Sequence, residues 1–509
     1  NSRSPVAKIA KKPGLFFTSY AAREYLISLY CTDQFPIFVA SLIVNISVNM
    51  KIKCFLLLLV AVMSPVLLYA QQKEWTLEEC IAHALENNIQ IKQQEIVTQY
   101  QESTLEQSKL DLLPSLNGSA SHRYAFGRAL DETTNRYTEN ETVQSSNFSA
   151  GSNLSLFNGL VNLNTIRKNE YELLASEQDL EGFRDDISLN VALAYLQILL
   201  NHELVNTTLA QVEMTQQQID RTQKLVDAGS LARGNLLDIE AQAAREEVQL
   251  ITLQNQLAIS YLTLAQLLEL PSAEGFAIQV PTIALSPATY EGNPDSIFKV
   301  AEKIRPEVLS AEYKLKGAEY DLAIAKGGRS PQLSLGASLG TSYSDNRIDI
   351  NTLEPYDFWT QMDINRNASV GFSLNIPILN GWMVNTRIKN SQLGIENSQY
   401  TLENTRKQLY KNIQQAYTDA RGAMKKFYST QKAVASMEEA FRYSEQKLNV
   451  GMLTAVDYNL SKTQLLNAQS EMAQAKYEYV FKTKVLDFYR GIPLTLEHIT
   501  ILANHSENQ

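Results

Sequence analysis

Cysteine, proline and glycine are all scarce in this sequence of 509 residues. The three cysteines, Cys31, Cys54 and Cys80, have a spacing that matches neither a disulfide framework nor a zinc site. With only 14 prolines and 21 glycines, the chain has few residues that interrupt helices or strands, which indicates long regular elements. Basic residues are outnumbered, and the formal net charge of −10 disfavours nucleic acids and anionic membrane surfaces as partners.

A catalytic constellation is also missing from the sequence. The five histidines are scattered along the chain at His83, His122, His202, His498 and His505. We find no phosphate-binding loop, no nucleophile elbow and no metal-ligand spacing. The sequence therefore predicts a protein that is not an enzyme and that holds neither a metal nor a cofactor.

The segment that begins at Met50 is typical of a signal peptide. Lys51 and Lys53 precede an apolar run from 55 to 69, and Ala70 follows it. A transmembrane anchor is the alternative, but fifteen residues that include Pro65 are short for a span. We expect residues 1–49 to be upstream translation or disordered sequence, residues 50–70 to be a signal peptide, and the mature chain to begin near Gln71.

An internal repeat organises the rest of the chain. Asn158-Gly159 falls on Asn380-Gly381 at an offset of 222 residues, and four further pairs share that offset. These pairs are Gly229 with Gly451, Leu231 with Leu453, Gln242 with Gln464, and Pro271 with Pro493. Such agreement indicates a duplication. We assign the first repeat to 71–285, the second to 286–495, and a C-terminal tail to 496–509.

Each repeat reads as helix, strand, loop, strand, very long helix, turn and helix. Alternating apolar residues predict strands at about 115–126, 147–157, 332–343 and 369–379. The second strand of each pair ends at an Asn-Gly junction, Asn158-Gly159 or Asn380-Gly381, where a helix begins. We predict shorter helices at about 87–113, 231–270, 306–330 and 452–490, and a Pro-rich linker at 271–306.

The long helices lack proline from 159 to 228 and from 381 to 450, and the first one has a seven-residue period. Its aliphatic row is Ile198, Val205, Val212, Ile219 and Val226, and its polar row is Asn201, Thr208, Thr215 and Thr222. This pattern is typical of coiled-coil packing against several neighbours. About 70 residues at 1.5 Å each would reach roughly 100 Å.

Four strands cannot close a barrel, and an open sheet edge is not viable in lipid. The predicted strands have the length of tilted membrane strands, although a soluble sandwich edge would also show alternation. If they span a membrane, several chains must contribute. Two chains would give eight strands with a filled interior, and three would give twelve strands around a lumen.

Taken in order, these segments resemble the TolC family of outer-membrane efflux proteins. The resemblance covers 75–495 and rests on "WTLEECIAHALENNIQIK", "LLPSL" and "RSPQL", "LFNG" and "ILNG", and the tip segments "AGSLARGNLLDIEAQ" and "VGMLTAVDYNLSKTQ". It implies a mainly α protein with a membrane β-barrel. The homotrimer would have a twelve-stranded outer-membrane barrel, with four strands per chain, continued by a twelve-helix periplasmic α-barrel.

The resemblance also implies the exit duct of a tripartite efflux or type I secretion system. Its partners would be a periplasmic adaptor, an inner-membrane pump of the RND or ABC type, and outer-membrane lipid, with no nucleic acid. Adaptor docking would use the hairpin tips at about 226–236 and 448–458, through Gly229, Ser230, Leu231, Arg233, Gly451 and Leu453. An exported coiled-coil scaffold without a pore remains the alternative.

The resemblance also implies gate residues, through their position relative to the tip glycines. Asp457 stands six residues after Gly451, where the family often narrows the entrance with an acidic ring, while the equivalent Asn235 is uncharged. Leu448 and Leu453 stand where some relatives have polar gate-locking residues, so we expect the gate to depend more on packing. The alternative role for Asp457 is to cap the second tip helix.

Overall fold

The computed structural model describes residues 73–131, 136–281, 293–349, 351–352 and 354–495. The predicted upstream segment 1–49, the signal peptide 50–70 and the tail 496–509 lie outside the described residues. The chain divides into two units, Asn1–Lys73 and Glu74–Gln509. All of the elements below belong to the second unit.

Helices dominate the described part of the chain. In chain order the elements are β1 (Glu74–Trp75), α1 (Leu77–Asn87), α2 (Ile89–Leu110), β2 (Ser115–Asp131), β3 (Arg136–Phe157), α3 (Val161–Asp227), α4 (Arg233–Leu267), β4 (Ala277–Ile278), α5 (Pro294–Ile304), α6 (Pro306–Gly327), β5 (Gln332–Ser344), α7 (Phe358–Ile364), β6 (Asn367–Asn375), α8 (Met383–Asn449) and α9 (Ala455–Tyr489). Helices that correspond in the two halves have equal lengths. These are 11 residues for α1 and α5, 22 for α2 and α6, 67 for α3 and α8, and 35 for α4 and α9.

The main sheet has four antiparallel strands in the order β2-β3-β5-β6, so β2 and β6 are its edges. A separate two-stranded parallel sheet joins β1 to β4. The β2–β3 hairpin extends past the predicted ends at 126 and 147, because the polar loop continues the backbone pairing to Asp131↔Arg136. Strand β6 ends at Asn375 rather than 379, since Pro377 has no N–H and restricts the residue before it.

Two helix predictions need correction. The predicted helix at 87–113 is α2, and a separate helix α1, which was not predicted, precedes it because Asn88 has an extended backbone that ends α1 and caps α2. The Asn88 side chain accepts from Gln90 N at 2.9 Å and donates to Leu267 O at 3.1 Å, which holds the break in place. The predicted linker 271–306 contains α5, whose start is signalled by Asn293 at the N-cap and Pro294 directly after it.

Each long helix packs against different partners along its length. The half of α3 near the sheet contacts α2 and α6, as in the Thr98–Ser176 and Lys168–Asp321 contacts, and the other half contacts α4. Helix α8 packs in the same way against α6 and α9. The main apolar core lies where α1, α3, α4 and α9 meet, around the fully buried Tyr195.

The polar row predicted on α3 is buried more completely than the aliphatic row. Asn201, Thr208, Thr215 and Thr222 are all buried, whereas Val212 and Ile219 are only half-buried. Asn201 donates to Ser260 Oγ of α4 at 3.0 Å, so a hydrogen bond satisfies part of this row. The seam of this hairpin therefore combines polar pairs with apolar packing.

Both strand-to-helix junctions use two consecutive left-handed residues. At the first junction these are Gly159 (φ 70°) and Leu160 (φ 65°), and at the second they are Gly381 (φ 58°) and Trp382 (φ 68°). The surroundings of the two glycines differ. A Cβ on Gly159 would lie 2.5 Å from Gly327 O, whereas a Cβ on Gly381 would meet nothing within 4 Å.

The two junctions therefore provide a matched test. We expect Gly381→Ala to cost about 1–2 kcal/mol, the usual penalty for a left-handed alanine. Gly159→Ala should cost clearly more, because its methyl group also overlaps the backbone of Gly327. Thermal unfolding of the purified protein in detergent, followed by circular dichroism, gives the two midpoints. Equal midpoints would contradict the tight packing at Gly159.

Candidate functional site

The two hairpin tips have the same backbone structure. At the first tip Gly229 (φ 72°) donates to Val226 O and Ser230 donates to Leu225 O, both at 2.9 Å. At the second tip Gly451 (φ 74°) donates to Leu448 O at 3.1 Å and Met452 donates to Lys447 O at 2.8 Å. Both patterns are Schellman motifs, which end a helix at a left-handed glycine. The motif explains why glycine stands at both tips.

The helices that follow the tips start differently. Thr454 caps α9, since its hydroxyl accepts from Asp457 N at 3.1 Å and donates to Asp457 Oδ2 at 2.7 Å. Ala232, at the equivalent position before α4, makes no side-chain cap. Asp457 is exposed and Asn235 is half-buried. The structure thus gives Asp457 a capping contact and leaves its carboxylate accessible.

The second tip exposes more apolar surface than the first. Of the predicted tip residues, Gly229, Ser230, Leu231, Arg233 and Gly451 are exposed, and Leu453 is half-buried, as is Leu448. A neighbouring group of exposed apolar side chains on the second hairpin was not predicted from the sequence: Val450, Met452, Val456 and Leu460. Such a patch is the kind of surface that contacts another protein.

A buried polar cluster connects the two hairpins some turns away from the tips. Lys462 of α9 is 2% exposed and its ammonium lies 3.2 Å from Glu246 Oε1 of α4. It also donates to Gln211 O of α3 at 3.2 Å and to the Thr215 hydroxyl, which in turn donates to Glu246. Three helices therefore meet at one ion pair. Nothing in the sequence marks Lys462 as buried, since its neighbours are ordinary polar helix residues.

The ion pair lies in an environment that opposes charge. Burial lowers the pKa of the Lys462 ammonium, and the Glu246 carboxylate opposes that shift. Gln242 donates to Glu246 Oε1 at 2.8 Å, whereas Gln211 Nε2 is buried and has no hydrogen-bond partner in the described part of the chain. Removing one charge from such a cluster leaves the other without compensation.

The two faces of the four-stranded sheet differ in chemistry. We call one the small-polar face, because its side chains are serine, glycine or asparagine: Ser115, Asn117, Ser119, Ser121, Asn147, Ser149, Gly151, Asn153, Ser334, Gly336, Ser338, Gly340, Ser342, Asn367, Ser369, Gly371, Ser373 and Asn375. Hydroxyls pair across this face, as in Ser119–Ser149 at 2.7 Å and Ser338–Ser369 at 2.8 Å. None of these side chains carries a charge, but Arg123, two residues after Ser121 and opposite Ser145, continues the same face.

The opposite side is the apolar face, and much of it is exposed. Its members are Leu116, Gly118, Ala120, Tyr124, Phe148, Ala150, Leu154, Leu335, Leu339, Tyr343, Val370, Phe372 and Leu374. Its polar interruptions include His122 and Ser146, which bond to each other at 2.8 Å. A large exposed apolar sheet face needs a partner surface or a lipid environment.

Among the described residues, no group of three or more His, Cys, Asp or Glu side chains is arranged to hold a metal ion. Within the same residues, no helix has both the length and the apolar character required to cross a membrane.

Comparison with known proteins relates this geometry to a family. The sequence model described as "Outer membrane efflux protein" matches residues 80–269 and 298–488. The outer membrane protein TolC of Escherichia coli is 26% identical over 383 residues, which are 74% of each chain. The alkaline protease secretion protein AprF of Pseudomonas aeruginosa is 23% identical over 395 residues, covering 75% of this chain and 77% of its own.

The fold has solved counterparts. The outer membrane protein VceC of Vibrio cholerae superposes with a TM-score of 0.64 at 18% identity, over 81% of this chain and 94% of its own. Together with the two unlike sheet faces and the long helical hairpins, these comparisons define an outer-membrane channel protein. The chain belongs to the outer membrane efflux protein family. The predicted family, outer-membrane location and channel function are thereby confirmed.

The buried ion pair leads to a prediction about stability. Glu246→Gln should destabilise the protein by about 3–5 kcal/mol, because it leaves the Lys462 ammonium buried without a counter-charge. The double variant Lys462→Met/Glu246→Leu should recover most of this loss, since it removes both charges and fills a similar volume. Urea unfolding of the purified variants in detergent measures both effects. A double variant as unstable as the single one would contradict this account.

Proposed function

We propose that three copies of this chain form one conduit, with a twelve-stranded barrel in the outer membrane and a twelve-helix tunnel in the periplasm. The observation that carries the proposal is the four-stranded sheet, which has two free edges, β2 and β6, and two unlike faces. Backbone groups at a free edge cannot remain unpaired in lipid, so β2 of one copy would pair with β6 of the next. Three copies are the smallest number that leaves a water-filled lumen.

The chemistry of the two faces sets their orientation in this proposal. The apolar face would contact the hydrocarbon of the membrane, and the small-polar face would line the lumen. A lumen lined mostly by hydroxyls, amides and glycines, with Arg123 as its charged side chain on β2, would hold few ions or substrates strongly. Selection of the cargo would then occur elsewhere along the conduit, and the periplasmic entrance is the candidate place.

The helical part supports the same arrangement. Equal helix lengths in the two halves favour two structural repeats, which we assign to residues 71–285 and 286–495. Each repeat would supply one long helix and two shorter ones stacked end to end, which together make a tunnel wall of even height. A 67-residue helix of about 100 Å gives this tunnel the length needed to reach far into the periplasm.

The tips are where we place the periplasmic partner. An adaptor protein would dock on the tip residues around Gly229 and Gly451, and the exposed Val450, Met452 and Val456 add apolar surface there. The adaptor would connect the conduit to an inner-membrane pump of the RND or ABC type. AprF is named for protease secretion, and a polypeptide cargo needs a wide lumen. The same lumen would also pass a small drug.

Assembly is the first prediction from this proposal. Native mass measurement in detergent should give about three times the mass of the mature chain, because three copies are needed for a closed barrel with a lumen. Planar-bilayer recordings of the same preparation should show discrete conductance steps. A monomer that conducts would contradict the architecture, and a trimer that never conducts would favour the scaffold without a pore.

The gate gives a second prediction. We propose that Asp457 contributes one of three carboxylates to a ring at the entrance, where confined charges are weakly screened and attract cations. Asp457→Ala should therefore reduce cation selectivity and weaken block by trivalent cations in planar bilayers. The matched control is Thr454→Ala, which removes both hydrogen bonds between Thr454 and Asp457 but keeps the carboxylate.

The two variants separate charge from capping. Thr454→Ala should lower stability by about 0.5–2 kcal/mol through loss of the helix cap. Asp457→Ala should lower it less, because the backbone N–H of residue 457 still donates to Thr454. Only Asp457→Ala should change the reversal potential. If the two variants have the same selectivity as the unaltered protein, Asp457 acts as a helix cap alone.

A further inference from the structure

The short helix α7 is docked firmly on the apolar face of the sheet. Gln361, which is fully buried, donates to Ser344 O at 2.8 Å and accepts from Ser344 N at 2.9 Å. The Phe358 ring lies 5.1 Å from the Tyr343 ring and 6.4 Å from the Phe148 ring. The helix is thus held at the end of β5, and this end is opposite to the one where the long helices join the sheet.

Beside α7, the apolar face contains a groove with a volume of about 660 Å³. Gly118, Ala120 and Ala150 form its floor, and Phe148 and Leu339 border it. The floor residues are small, whereas nearby positions of the same face hold leucines such as Leu116 and Leu335. The volume falls within the range of roughly 300–1,000 Å³ that is usual for small-molecule sites.

One charged side chain lines this groove, Arg366. Its guanidinium is mostly exposed and pairs with the equally exposed Asp363 at 2.9 Å. An exposed ion pair of this kind contributes only about 0–1 kcal/mol, so an anionic ligand can replace Asp363. A guanidinium is well suited to bind a phosphate group through two parallel hydrogen bonds.

The outer surface of α7 continues the apolar character of the sheet. Trp359 and Ile364 of α7 are 77% and 55% exposed. Tryptophan is enriched where a membrane meets water, because its ring is apolar and its N–H is polar. In the proposed orientation, α7 would lie at the level of the outer lipid headgroups.

We propose that this groove binds a phosphorylated, multiply acylated lipid of the outer leaflet, of the lipid A type. One acyl chain lies along Gly118, Ala120 and Ala150, a phosphate binds Arg366, and Trp359 and Ile364 contact the headgroup region. The charge of Arg366 and the continuity of the groove with the apolar face identify this occupant. The inference depends on the proposed barrel, whose apolar face contacts lipid. The net charge of −10 does not oppose it, because the attraction is local to one guanidinium.

The test uses the full-length purified assembly, stripped of lipid and then offered defined lipids. Native mass spectrometry measures the binding of bis-phosphorylated lipid A, of dephosphorylated lipid A with the same chains, and of phosphatidylethanolamine. Arg366→Gln removes the charge, and Gly118→Leu fills the groove at a position where a Cβ meets nothing within 4 Å. Lys425→Gln is the charge-matched control, since Lys425 is exposed on the long helix α8, far along the chain from the sheet.

The unaltered protein and Lys425→Gln should retain the phosphorylated lipid, and both should bind the other two lipids more weakly. Arg366→Gln and Gly118→Leu should each weaken retention of the phosphorylated lipid by about tenfold or more, as expected for loss of a charge-assisted bond or of the acyl-chain site. The proposal is overturned if either variant binds that lipid as the unaltered protein does, or if dephosphorylated lipid binds equally well. Conductance of the unaltered protein, recorded in parallel, tests the conduit separately, so the failure of either proposal can be distinguished.

Discussion

Every backbone N–H and C=O group inside a membrane must find a hydrogen-bond partner, and the barrel that we propose for this protein depends on that constraint. The sheet satisfies it between β2 and β6 but leaves both edge strands open. A chain with such a sheet cannot be complete in lipid as a single copy. The helices agree with an assembly of several copies. The long helices α3 and α8 have the same length, so each copy can supply two nearly equivalent segments to the wall of the proposed tunnel.

The long helices meet a different constraint, since each one packs on several neighbours over a length far greater than that of an ordinary domain core. Part of the seam is polar, with Asn201 bonded to Ser260 and with Lys462 paired to Glu246. Buried polar contacts of this kind contribute little net stability, but they penalise any shift in the register of the helices. The hairpins thereby gain a defined alignment where apolar packing alone would allow sliding.

The duplication, the proline-free helices and the Asn-Gly junctions could be read from the sequence, because glycine placement and apolar periodicity are local signals. Helix α1 before Asn88 was not predicted, and the break that separates it from α2 is held by a bond from Asn88 to Leu267 of a distant segment. The start of α5 was missed although Asn293-Pro294 is a recognisable signal. Hairpin length was underestimated because the polar ends of β2 and β3 pair through their backbones and show no apolar alternation.

For the functional residues, the sequence alone determined the family, the tip glycines and the acidic position at Asp457. Motifs, turn glycines and charged residues are local features, so they can be recognised without knowing which distant segments come into contact. Only the tertiary structure decided that Thr454 caps α9 and bonds Asp457, that Lys462 is buried against Glu246, and that small residues on β2 and β3 form a groove beside Arg366. The physical reason is distance along the chain. Glu246 and Lys462 are separated by 216 residues, and no local pattern reports a contact that helix packing alone brings about.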